Sequence, residues 1–487
     1  MKKRIIGTAG ITALAAVLTG CGLGQSDSAK VKLDPSKPVS LTIWHYYNGT
    51  QQAAFDALVD EFNTTVGKEK GIYIEEYSQG SVADLEAAVS DSLNGVVGAE
   101  ELPDMFSSYA DTAYAVQQQD KLVDLNTYFS AEELEDYVDS YIQEGYIDND
   151  SSLYLFPIAK GTEILMVNKT GWDVFAEATG STLDELATTE GITAVSKRYY
   201  EWTDSLTPDI ADDGKAFYGR DSMSNYFVIG MKQMGKDIVS VEDGTVSLNL
   251  DKELIRRLWD NYYIPYINGY YAGYGRFRSD DIKTGDILAY TGSASSAMYF
   301  PDHIEKEEGN ESIDYLVLSS PIMEGGETYR VQQGASMAVT KTTKEREYAS
   351  CEFLRWMTQK EQNLLFVAEA AYLPVKKDAN TVEALDAVIQ SEHLNINPKA
   401  YDCLVNIMEN FEDTTFYVTD NFENGYNTRK ILDIFLTNAA EQDKEAIEKA
   451  VAKGLDRSEA IARYSTDEVF ENWYESFMAA LNEAAFQ

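Results

Sequence analysis

Residues 39–77 read VSLTIWHYYNGTQQAAFDALVDEFNTTVGKEKGIYIEEY and contain a strand, a helix and a second strand in that order. Apolar and polar residues alternate over 39–44, which predicts a core strand with Trp44 packed in the interior. Over 51–62 the apolar residues recur at helical spacing, and 71–77 is again rich in β-forming residues. Strands that alternate with helices favour a parallel or mixed sheet, so this unit indicates an α/β fold.

The same alternation continues along the chain. A helical pattern covers 82–93, and strand-like runs follow at 102–106, 163–169, 286–290 and 334–340. Helical patterns dominate from Lys344 onward. In such sheets, ligands sit beyond the carboxyl ends of the strands. We therefore expect the residues that follow the first and third strands to border a pocket.

The amino terminus has the layout of a secreted lipoprotein precursor. A basic start at 2–4 precedes an apolar run at 5–18, which is too short to span a bilayer as a helix. The run Leu18-Thr-Gly-Cys21 resembles a bacterial lipobox, so we expect a signal peptide at 1–20 and acylation of Cys21, and two acyl chains suffice for stable anchoring. The polar segment 21–38 predicts a flexible tether, which places the folded body on the extracytoplasmic face of a bacterial cell membrane.

The composition excludes some classes of protein. Of the 487 residues, 44% are hydrophobic, which is enough to bury the cores of two or more domains. The formal net charge of −41 repels phosphate backbones, so nucleic acid is not an expected partner. Besides Cys21 the chain has only Cys351 and Cys403, and we expect both to be buried free thiols.

Seven segments, taken in order, resemble one known family. They are LTIW at 41–44, LPDMF at 102–106, LFPIAKGTEILMVNK at 155–169, GDILAYTGSASS at 285–296, QGASMAV at 333–339, ASCEFLRW at 349–356 and AYLPV at 371–375. Behind a lipobox, this set resembles the family 1 extracellular solute-binding proteins of ATP-driven importers, the family of maltose-binding protein. The resemblance covers essentially the whole mature chain and is strongest to the sugar-binding and glycerol-phosphate-binding branches.

The resemblance implies a periplasmic-binding-protein-like fold of type II, with two discontinuous α/β lobes, a hinge and a helical carboxyl-terminal part. It places lobe one at 39–158 plus 287–340 and lobe two at 159–286 plus 341–487. A ligand held between the lobes would favour the closed form, because only there does it touch both lobes. Such a protein is not an enzyme, needs no cofactor or metal, and has the membrane-embedded permease of an ABC importer as its partner.

Candidate ligand contacts come from two sources. The resemblance assigns contacts to Tyr46, Tyr109, Gly161, Ser295, Gly334, Tyr372 and, as a looser match, Arg429. Position relative to the predicted strands and helices adds His45, Asp111, Glu163, Trp202, Arg220 and Ser293. Aromatic faces suit the C–H surface of a sugar, and polar side chains suit its hydroxyls. The set therefore favours a carbohydrate, and an oligosaccharide in particular.

Three alternatives stay open. The first is glycerol phosphate or a glycerophosphodiester, with Lys160, Arg220 and Arg429 as possible phosphate partners. The second is a glycosidase, which needs only two carboxylates, but 81 Asp and Glu residues make chance pairs unavoidable, and the sequence has no Gly-x-Ser-x-Gly or His-Glu-x-x-His motif. The third is ferric iron, because the chain has tyrosine pairs at 199–200, 262–263 and 270–271, although aromatic core or cleft residues explain these pairs better.

Overall fold

The structure, a computed structural model, describes residues 31–147, 151–242, 245–306, 309–334 and 336–486. The predicted signal peptide at 1–20 and the predicted acylation site Cys21 lie outside these residues. Within the predicted tether, the Lys37 amide donates to the carbonyl oxygen of Asp34 at 2.8 Å, just before the first strand. Gly71 packs on this segment in a left-handed conformation with φ +79°, where a Cβ would lie only 2.7 Å from the Asp34 carbonyl oxygen.

Each predicted run contains or overlaps a strand, with ends that move by a few residues, and further strands lie outside these runs. In chain order they are β1 (Val39–His45), β2 (Ile72–Ser78), β3 (Met105–Ser108), β4 (Leu155–Pro157), β5 (Glu163–Asn168), β6 (Tyr218–Arg220), β7 (Val239–Glu242), β8 (Thr245–Leu248), β9 (Ala289–Ser293), β10 (His303–Ile304), β11 (Glu311–Ser312), β12 (Tyr315–Ser319), β13 (Tyr329–Val331), β14 (Ser336–Val339) and β15 (Thr415–Tyr417).

The helices occupy the segments between the strands and most of the last third of the chain. They are α1 (Gly49–Thr64), α2 (Val66–Lys70), α3 (Val82–Leu93), α4 (Ala110–Gln117), α5 (Ala131–Leu134), α6 (Asp139–Gln143), α7 (Lys169–Thr179), α8 (Thr189–Ser205), α9 (Met223–Gln233), α10 (Lys252–Ile267), α11 (Arg278–Thr284), α12 (Lys344–Met357), α13 (Lys360–Ala370), α14 (Val382–Glu392), α15 (Pro398–Glu409), α16 (Gly425–Ala452), α17 (Arg457–Ala462) and α18 (Asp467–Phe486). None of these described helices is both long and apolar enough to cross a membrane.

The first sheet has five strands in the order β2-β1-β3-β14-β4. β1 runs parallel to β2 and β3, whereas β14 runs antiparallel to β3 and β4. Its central strands are buried, as Leu41 and Ile43 of β1 and Phe106 of β3 show no exposed surface. The parallel trio brings the carboxyl ends of β1 and β3 to one edge of the sheet.

The second sheet has four strands in the order β12-β5-β9-β6. β5 pairs antiparallel with both β12 and β9, and β6 runs parallel to β9. Because successive side chains of a strand point to opposite faces, β5 contributes to two cores. Ile164 and Met166 join the core around the first sheet, which continues beneath α15, and Leu165 and Val167 join a second core on the opposite face.

The chain passes between the two sheets three times. The first passage joins β4 to β5, the second runs from β12 through β13 to β14, and the third runs from α14 through α15 and β15 to α16. The passages are hydrogen-bonded to one another: β13 pairs parallel with β15, and Gly161 forms a β-bridge with Gln333. Three adjacent passages are a suitable hinge, because each can absorb a small change of backbone angle.

The expected division of the chain needs two corrections. Residues 287–340 were expected in lobe one, but β9 and β12 pair with β5 in the second sheet, residue for residue from Glu163 opposite Ser293 onward. Residues 341–487 were expected in lobe two, but α12 packs on β1 and α13 packs on α1. We call the first sheet with α1–α6 and α12–α14 the first lobe, and the second sheet with α7–α11 and α15–α18 the second lobe.

Both remaining cysteines are buried and unpaired, which confirms the prediction of two free thiols. Cys351 lies in α12 of the first lobe and Cys403 in α15, and neither side chain has exposed surface. Burial raises the pKa of each thiol well above its usual value. Neither is placed to act as a nucleophile, because the reactive species is the thiolate.

Candidate ligand-binding cleft

Two tyrosines leave the carboxyl ends of the parallel strands of the first sheet. Tyr46 follows β1 directly, and Tyr109 follows β3. Their rings lie 6.5 Å apart between centroids and are inclined by only 20°. The two rings therefore form one aromatic cluster, in which Tyr46 is 9% exposed, at the edge of the sheet where ligands of α/β proteins bind.

Tyr372 joins this surface from a distant part of the chain. The backbone of Ala371 turns out of α13 with φ 53°, and Leu373 forms a β-bridge with Lys160. The bridge places the Tyr372 ring over Gly161, where a Cβ would lie 3.4 Å from the ring. The Tyr372 hydroxyl also shares hydrogen bonds with Tyr46 and Gln51. Tyr46, Tyr109 and Tyr372 are called the tyrosine face below.

Gly334 lies directly behind this surface, in the second passage between the lobes. Its φ of +94° favours glycine, and a Cβ there would lie 2.9 Å from the carbonyl oxygen of Ala159. The close approach brings Gly334 against Gly161, which exchanges backbone hydrogen bonds of 2.9 Å with Gln333. Five of the residues that the resemblance assigned to the ligand, Tyr46, Tyr109, Gly161, Gly334 and Tyr372, are thus brought together.

The second lobe places aromatic and basic groups opposite the tyrosine face. Tyr299, 68% exposed, lies near enough to Tyr372 to raise its pKa, although burial of Tyr372 contributes more. Arg429 in the first turn of α16 acts on Tyr109: burial raises the pKa of this phenol, and the guanidinium charge opposes the rise. Tyr426, also exposed, lies three positions before Arg429 and so on the same helix face.

The hydroxyls of Ser293 and Ser295 lie at the carboxyl end of β9. Their oxygens are 3.0 Å apart, and the Ser296 hydroxyl donates to the carbonyl oxygen of Ser293 at 2.6 Å. β6 runs parallel to β9 and ends at the same edge, so the two serines lie on the side of the second sheet from which Tyr299 projects. They can exchange hydrogen bonds with hydroxyl groups of a ligand in the cleft.

Asp111 borders the tyrosine face in the first turn of α4. Its carboxylate lies near Glu86 of α3, whose pKa is raised by burial and, to a smaller extent, by the Asp111 charge. Among the described residues, neither carboxylate forms an ion pair. Both can therefore accept hydrogen bonds from ligand hydroxyls, and both disfavour an anionic ligand.

Glu163 and Arg220 form a buried ion pair beneath the serines. Arg220 donates from Nη2 to both carboxylate oxygens of Glu163, at 3.1 and 2.9 Å, and the side chains are only 7% and 8% exposed. Burial opposes the Arg220 charge, but Glu163 outweighs it, so the pKa of the guanidinium is raised. The pair neutralises itself, and neither member presents a net charge to the cleft.

Lys160, on the first passage between the lobes, also has its charge paired with a carboxylate inside the protein. Its Nζ donates at 2.9 Å to the Glu144 carboxylate, to the carbonyl oxygen of Gly334 and to the Ser336 hydroxyl. An ammonium has three N–H donors, so this set saturates it. Lys160 and Arg220, two of the three predicted phosphate partners, are each paired with a buried carboxylate. The third, Arg429, is exposed and forms no ion pair among the described residues.

The structure corrects the expectation that His45 and Trp202 line the cleft. His45 has no exposed surface: on β1 it continues the alternation of Leu41 and Ile43, which turns its ring into the core. Trp202 lies three positions after Tyr199 on α8, so both face the second core, where Trp202 also packs 5.5 Å from the Phe175 ring. The predicted tyrosine pairs place Tyr262, Tyr263 and Tyr271 in the same core.

One histidine-carboxylate group in the described chain could be mistaken for a metal site. His45, Asp56 and Glu76 bring ligand atoms within 4.8 Å of one another. However, the Tyr47 amide donates to Nδ1 of His45 at 3.2 Å, so in the neutral ring the proton sits on Nε2, which contacts Glu76 at 2.8 Å. A metal-binding histidine instead donates from its second nitrogen. The geometry therefore favours a hydrogen-bonded His45–Glu76 pair.

His45 should make the stability depend on pH. Burial lowers the pKa of His45 from 6.5 to about 4. Between these values the unfolded chain takes up a proton that the folded chain does not, so stability falls as the pH drops from 6.5 towards 4. We expect His45→Gln to flatten the curve of unfolding free energy against pH by up to about 1.4 kcal/mol per pH unit in this window.

Denaturant titrations at a series of pH values would measure this effect. His303→Gln is the matched control, because it removes an imidazole from the two-residue strand β10 rather than from the core. Equal slopes for the wild-type protein and His45→Gln would contradict the assignment of His45 as a buried neutral ring.

Sequence reasoning missed three groups of the cleft. Tyr299 follows the predicted serine turn by three residues, Tyr426 precedes Arg429 on the same helix face, and Asn225 lies in the first turn of α9. The two tyrosines could have been found from their helical spacing to predicted contacts. Asn225 carried no such signal, because its partners Glu163 and Arg429 are distant in the sequence.

Two lobes, three adjacent passages and facing polar and aromatic groups are the architecture of a two-lobed binding protein. The chain belongs to the bacterial extracellular solute-binding proteins, whose family model matches residues 57–395. Membership confirms the resemblance found in the sequence and gives the protein an extracytoplasmic location. No curated protein matches the chain significantly by sequence.

Solved structures agree with this family. The cyclic α-maltosyl-1,6-maltose binding protein of Arthrobacter globiformis is 19% identical, with a TM-score of 0.65 over 92% of this chain and 99% of that chain. UgpB of Mycobacterium tuberculosis, in complex with glycerophosphocholine, is 17% identical, with a TM-score of 0.60 over 91% and 99%. A Listeria monocytogenes ABC substrate-binding protein in complex with cycloalternan is 13% identical, with a TM-score of 0.61 over 92% and 100%. These similarities confirm the predicted fold class.

Proposed function

We propose that this protein captures a neutral carbohydrate, an oligosaccharide, between its lobes and delivers it to the permease of an ABC importer. The observation that carries the proposal is the tyrosine face, Tyr46, Tyr109 and Tyr372, with the exposed Tyr299 of the other lobe close to Tyr372. Sugar rings present apolar C–H surfaces that pack on aromatic rings, so tyrosines contributed by both lobes suit such a ring. Structural neighbours that bind cyclic oligosaccharides support the same ligand class.

The polar groups around the tyrosines suit hydroxyls rather than charges. Ser293 and Ser295 offer hydroxyls from the second lobe, and Asp111 with Glu86 offers acceptors from the first. A carbohydrate hydroxyl can donate one hydrogen bond and accept others, so it can satisfy both kinds of partner. Few, well-placed polar groups beside an apolar surface are the usual composition of a small-molecule site.

Capture would work by closure about the three passages. A ligand that lies on the tyrosine face contacts Tyr299 and Arg429 only when the lobes approach, so it binds the closed form more tightly. That difference in affinity is what shifts the population towards closure. The closed shape is then what the permease recognises, and the ligand leaves unchanged, because a binding protein of this kind breaks no bond.

Glycerol phosphate or a glycerophosphodiester is the second candidate ligand. Arg429 favours it, since its guanidinium is exposed and faces the cleft, and a neighbour of the same fold binds glycerophosphocholine. Against it, Lys160 and Arg220 are consumed by Glu144 and Glu163. A single guanidinium is a weak phosphate site compared with bidentate or clustered basic groups.

A ligand screen by thermal unfolding decides between the two candidates. We expect maltotriose or cycloalternan to raise the unfolding midpoint, because a ligand at 100 times its Kd stabilises by about 2.7 kcal/mol. Glycerol 3-phosphate and glycerophosphocholine, tested at the same concentrations, represent the second candidate ligand and should leave the unfolding midpoint unchanged. If only the phosphorylated compounds raise the unfolding midpoint, the ligand is a glycerol phosphate or a glycerophosphodiester and not a carbohydrate. Chromatography of the recovered ligand would detect turnover, which would contradict a pure binding function.

We also propose that Cys21 is acylated and anchors the protein on the outer face of a bacterial cell membrane. The proposal rests on the lipobox Leu18-Thr-Gly-Cys21 and on the polar segment that follows it. Expression of the wild-type chain and Cys21→Ser in cells fed labelled palmitate tests it. The label should stay with the membrane fraction of the wild type and be lost from Cys21→Ser, which should be released. Equal labelling of both proteins would contradict the anchor.

A further inference from the structure

We propose that Asn225 is a positioning residue that holds Arg429 in the cleft, and that Glu163 sets the orientation of Asn225. The inference rests on the proposed function, since it assigns Arg429 to hydrogen bonding with ligand hydroxyls. Four side chains form the relay: Arg220, Glu163, Asn225 and Arg429. They come from β6, β5, α9 and α16, so the relay joins the second sheet to the surface of the cleft.

The relay consists of hydrogen bonds of ordinary length. Arg220 holds both oxygens of Glu163, at 3.1 and 2.9 Å. The amide nitrogen of Asn225 donates to Oε1 of Glu163 at 2.9 Å. Arg429 donates from Nη2 to Oδ1 of Asn225, also at 2.9 Å. Each contact joins residues that are far apart in the sequence, so the chain fold creates the relay.

Charge chemistry allows Asn225 only one orientation in this relay. A carboxylate can only accept hydrogen bonds, and a guanidinium can only donate them. Asn225 must therefore turn its NH2 group towards Glu163 and its oxygen towards Arg429. The opposite orientation would place two acceptors, Oδ1 and the Glu163 carboxylate, in contact, and two donors together on the other side.

Burial favours this single orientation of the Asn225 side-chain amide. Asn225 is 2% exposed and Glu163 is 6% exposed, so both lie away from bulk solvent. The backbone amide of Asn225 is also fixed, because it donates to the Ser222 hydroxyl that caps α9. In a poorly hydrated environment a hydrogen bond to a charged group is stronger than in water.

Arg429 keeps most of its donors for the cleft. One turn later on α16, Asp433 has the spacing of a helical ion-pair partner, but its carboxylate accepts the amide of Ser224 at 2.7 Å instead. In the described part of the chain, Arg429 makes no ion pair, and its charge acts on Tyr109 of the first lobe. A rigid fork of N–H donors suits two neighbouring hydroxyl oxygens of a sugar ring.

The first test needs no ligand. Crystal structures of the wild type and Asn225→Ala should show that Arg429 loses its defined position in the variant, while the Glu163–Arg220 pair stays in place. Asn261→Ala is the matched control, because Asn261 is a buried amide of the second lobe that bonds to the Arg257 carbonyl within α10. An Arg429 guanidinium that keeps its place in Asn225→Ala would overturn the inference.

The second test is a double-mutant cycle with maltotriose or cycloalternan, whichever raises the unfolding midpoint. Asn225→Ala and Arg429→Ala should each weaken binding about tenfold, as expected for a hydrogen bond to a charged group. The double variant should bind no more weakly than Arg429→Ala alone, because Asn225 acts only through Arg429. Additive losses would overturn the inference, as they would show that Asn225 acts independently.

The two tests separate this inference from the proposed function. If neither oligosaccharide binds, the carbohydrate proposal fails, and the crystal structures still decide whether Asn225 holds Arg429. Glu163→Gln provides a further check of orientation, since a neutral amide can turn either way. We expect it to loosen Arg429 as Asn225→Ala does, and because it also leaves Arg220 without a charged partner, its unfolding midpoint must be measured alongside.

Discussion

Replacing Lys160 by Met should lower the free energy of unfolding by about 3–5 kcal/mol, the usual effect of breaking a buried ion pair by removing one partner. Lys160 has no exposed surface, and its three N–H donors are all in use at 2.9 Å. Methionine replaces the aliphatic part of the lysine side chain with a chain of similar length. The loss of unfolding free energy therefore reflects removal of the charge rather than creation of a cavity. Without the ammonium, Glu144 is left buried beside Gln332 with no cationic partner among the described ion pairs.

Urea or guanidinium titration measures this effect, and two variants control it. Lys341→Met removes an exposed ion pair with Asp120 and should cost less than about 1 kcal/mol. The double variant Lys160→Met, Glu144→Gln should recover part of the loss, because it no longer buries an unpaired charge. A change below 1 kcal/mol for Lys160→Met would mean that water reaches Glu144 in solution.

Replacing Tyr372 by Ala should weaken carbohydrate binding at least tenfold while the protein stays folded. A ring that covers roughly 60 Å² of a sugar contributes about 1.5 kcal/mol at 25 cal/mol per Å², and tenfold in affinity is about 1.4 kcal/mol. The variant also removes the hydroxyl that bonds to Tyr46 and Gln51, so the rest of the tyrosine face loses support. Calorimetry with the oligosaccharide identified in the screen gives the change in Kd.

The matched control is Tyr73→Ala. Tyr73 lies on β2 at the outer edge of the first sheet and is 49% exposed, so it offers an equal loss of ring away from the cleft. We expect unchanged affinity for Tyr73→Ala and unchanged circular dichroism for both variants. If Tyr372→Ala binds as tightly as the wild type, Tyr372 is not part of the site.

Features that depend on residues close together in the sequence could be predicted from it. The run 39–44 became most of β1, and the tyrosines after β1 and β3 were placed correctly at the edge of the sheet, because parallel strands align their carboxyl ends. Gly334 was recognisable by its motif, and its positive φ explains why glycine stands there. These features need no knowledge of which distant segments meet.

Features that depend on distant partners could not be predicted in the same way. The strand pairing of β5 with β9 joins Glu163 to Ser293, and no local pattern says which of two sheets β9 will enter. Glu163 and Arg220 were foreseen as separate ligand contacts, yet they neutralise each other. His45 follows the predicted strand, but the alternation of β1 turns its ring away from the pocket. Because successive residues of a strand point to opposite faces, a shift of one residue exchanges a core position for a position at the cleft.

The path of residues 31–38 decides which lobe is joined to the proposed lipid anchor. This segment meets Gly71 at the amino end of β1, whereas Tyr46 stands at the carboxyl end, and seven residues of strand measure about 23 Å. With Cys21 acylated as proposed, the anchor is joined to the first lobe at the amino end of β1, the end opposite Tyr46. The segment that leads to the anchor therefore does not lie across the tyrosine face.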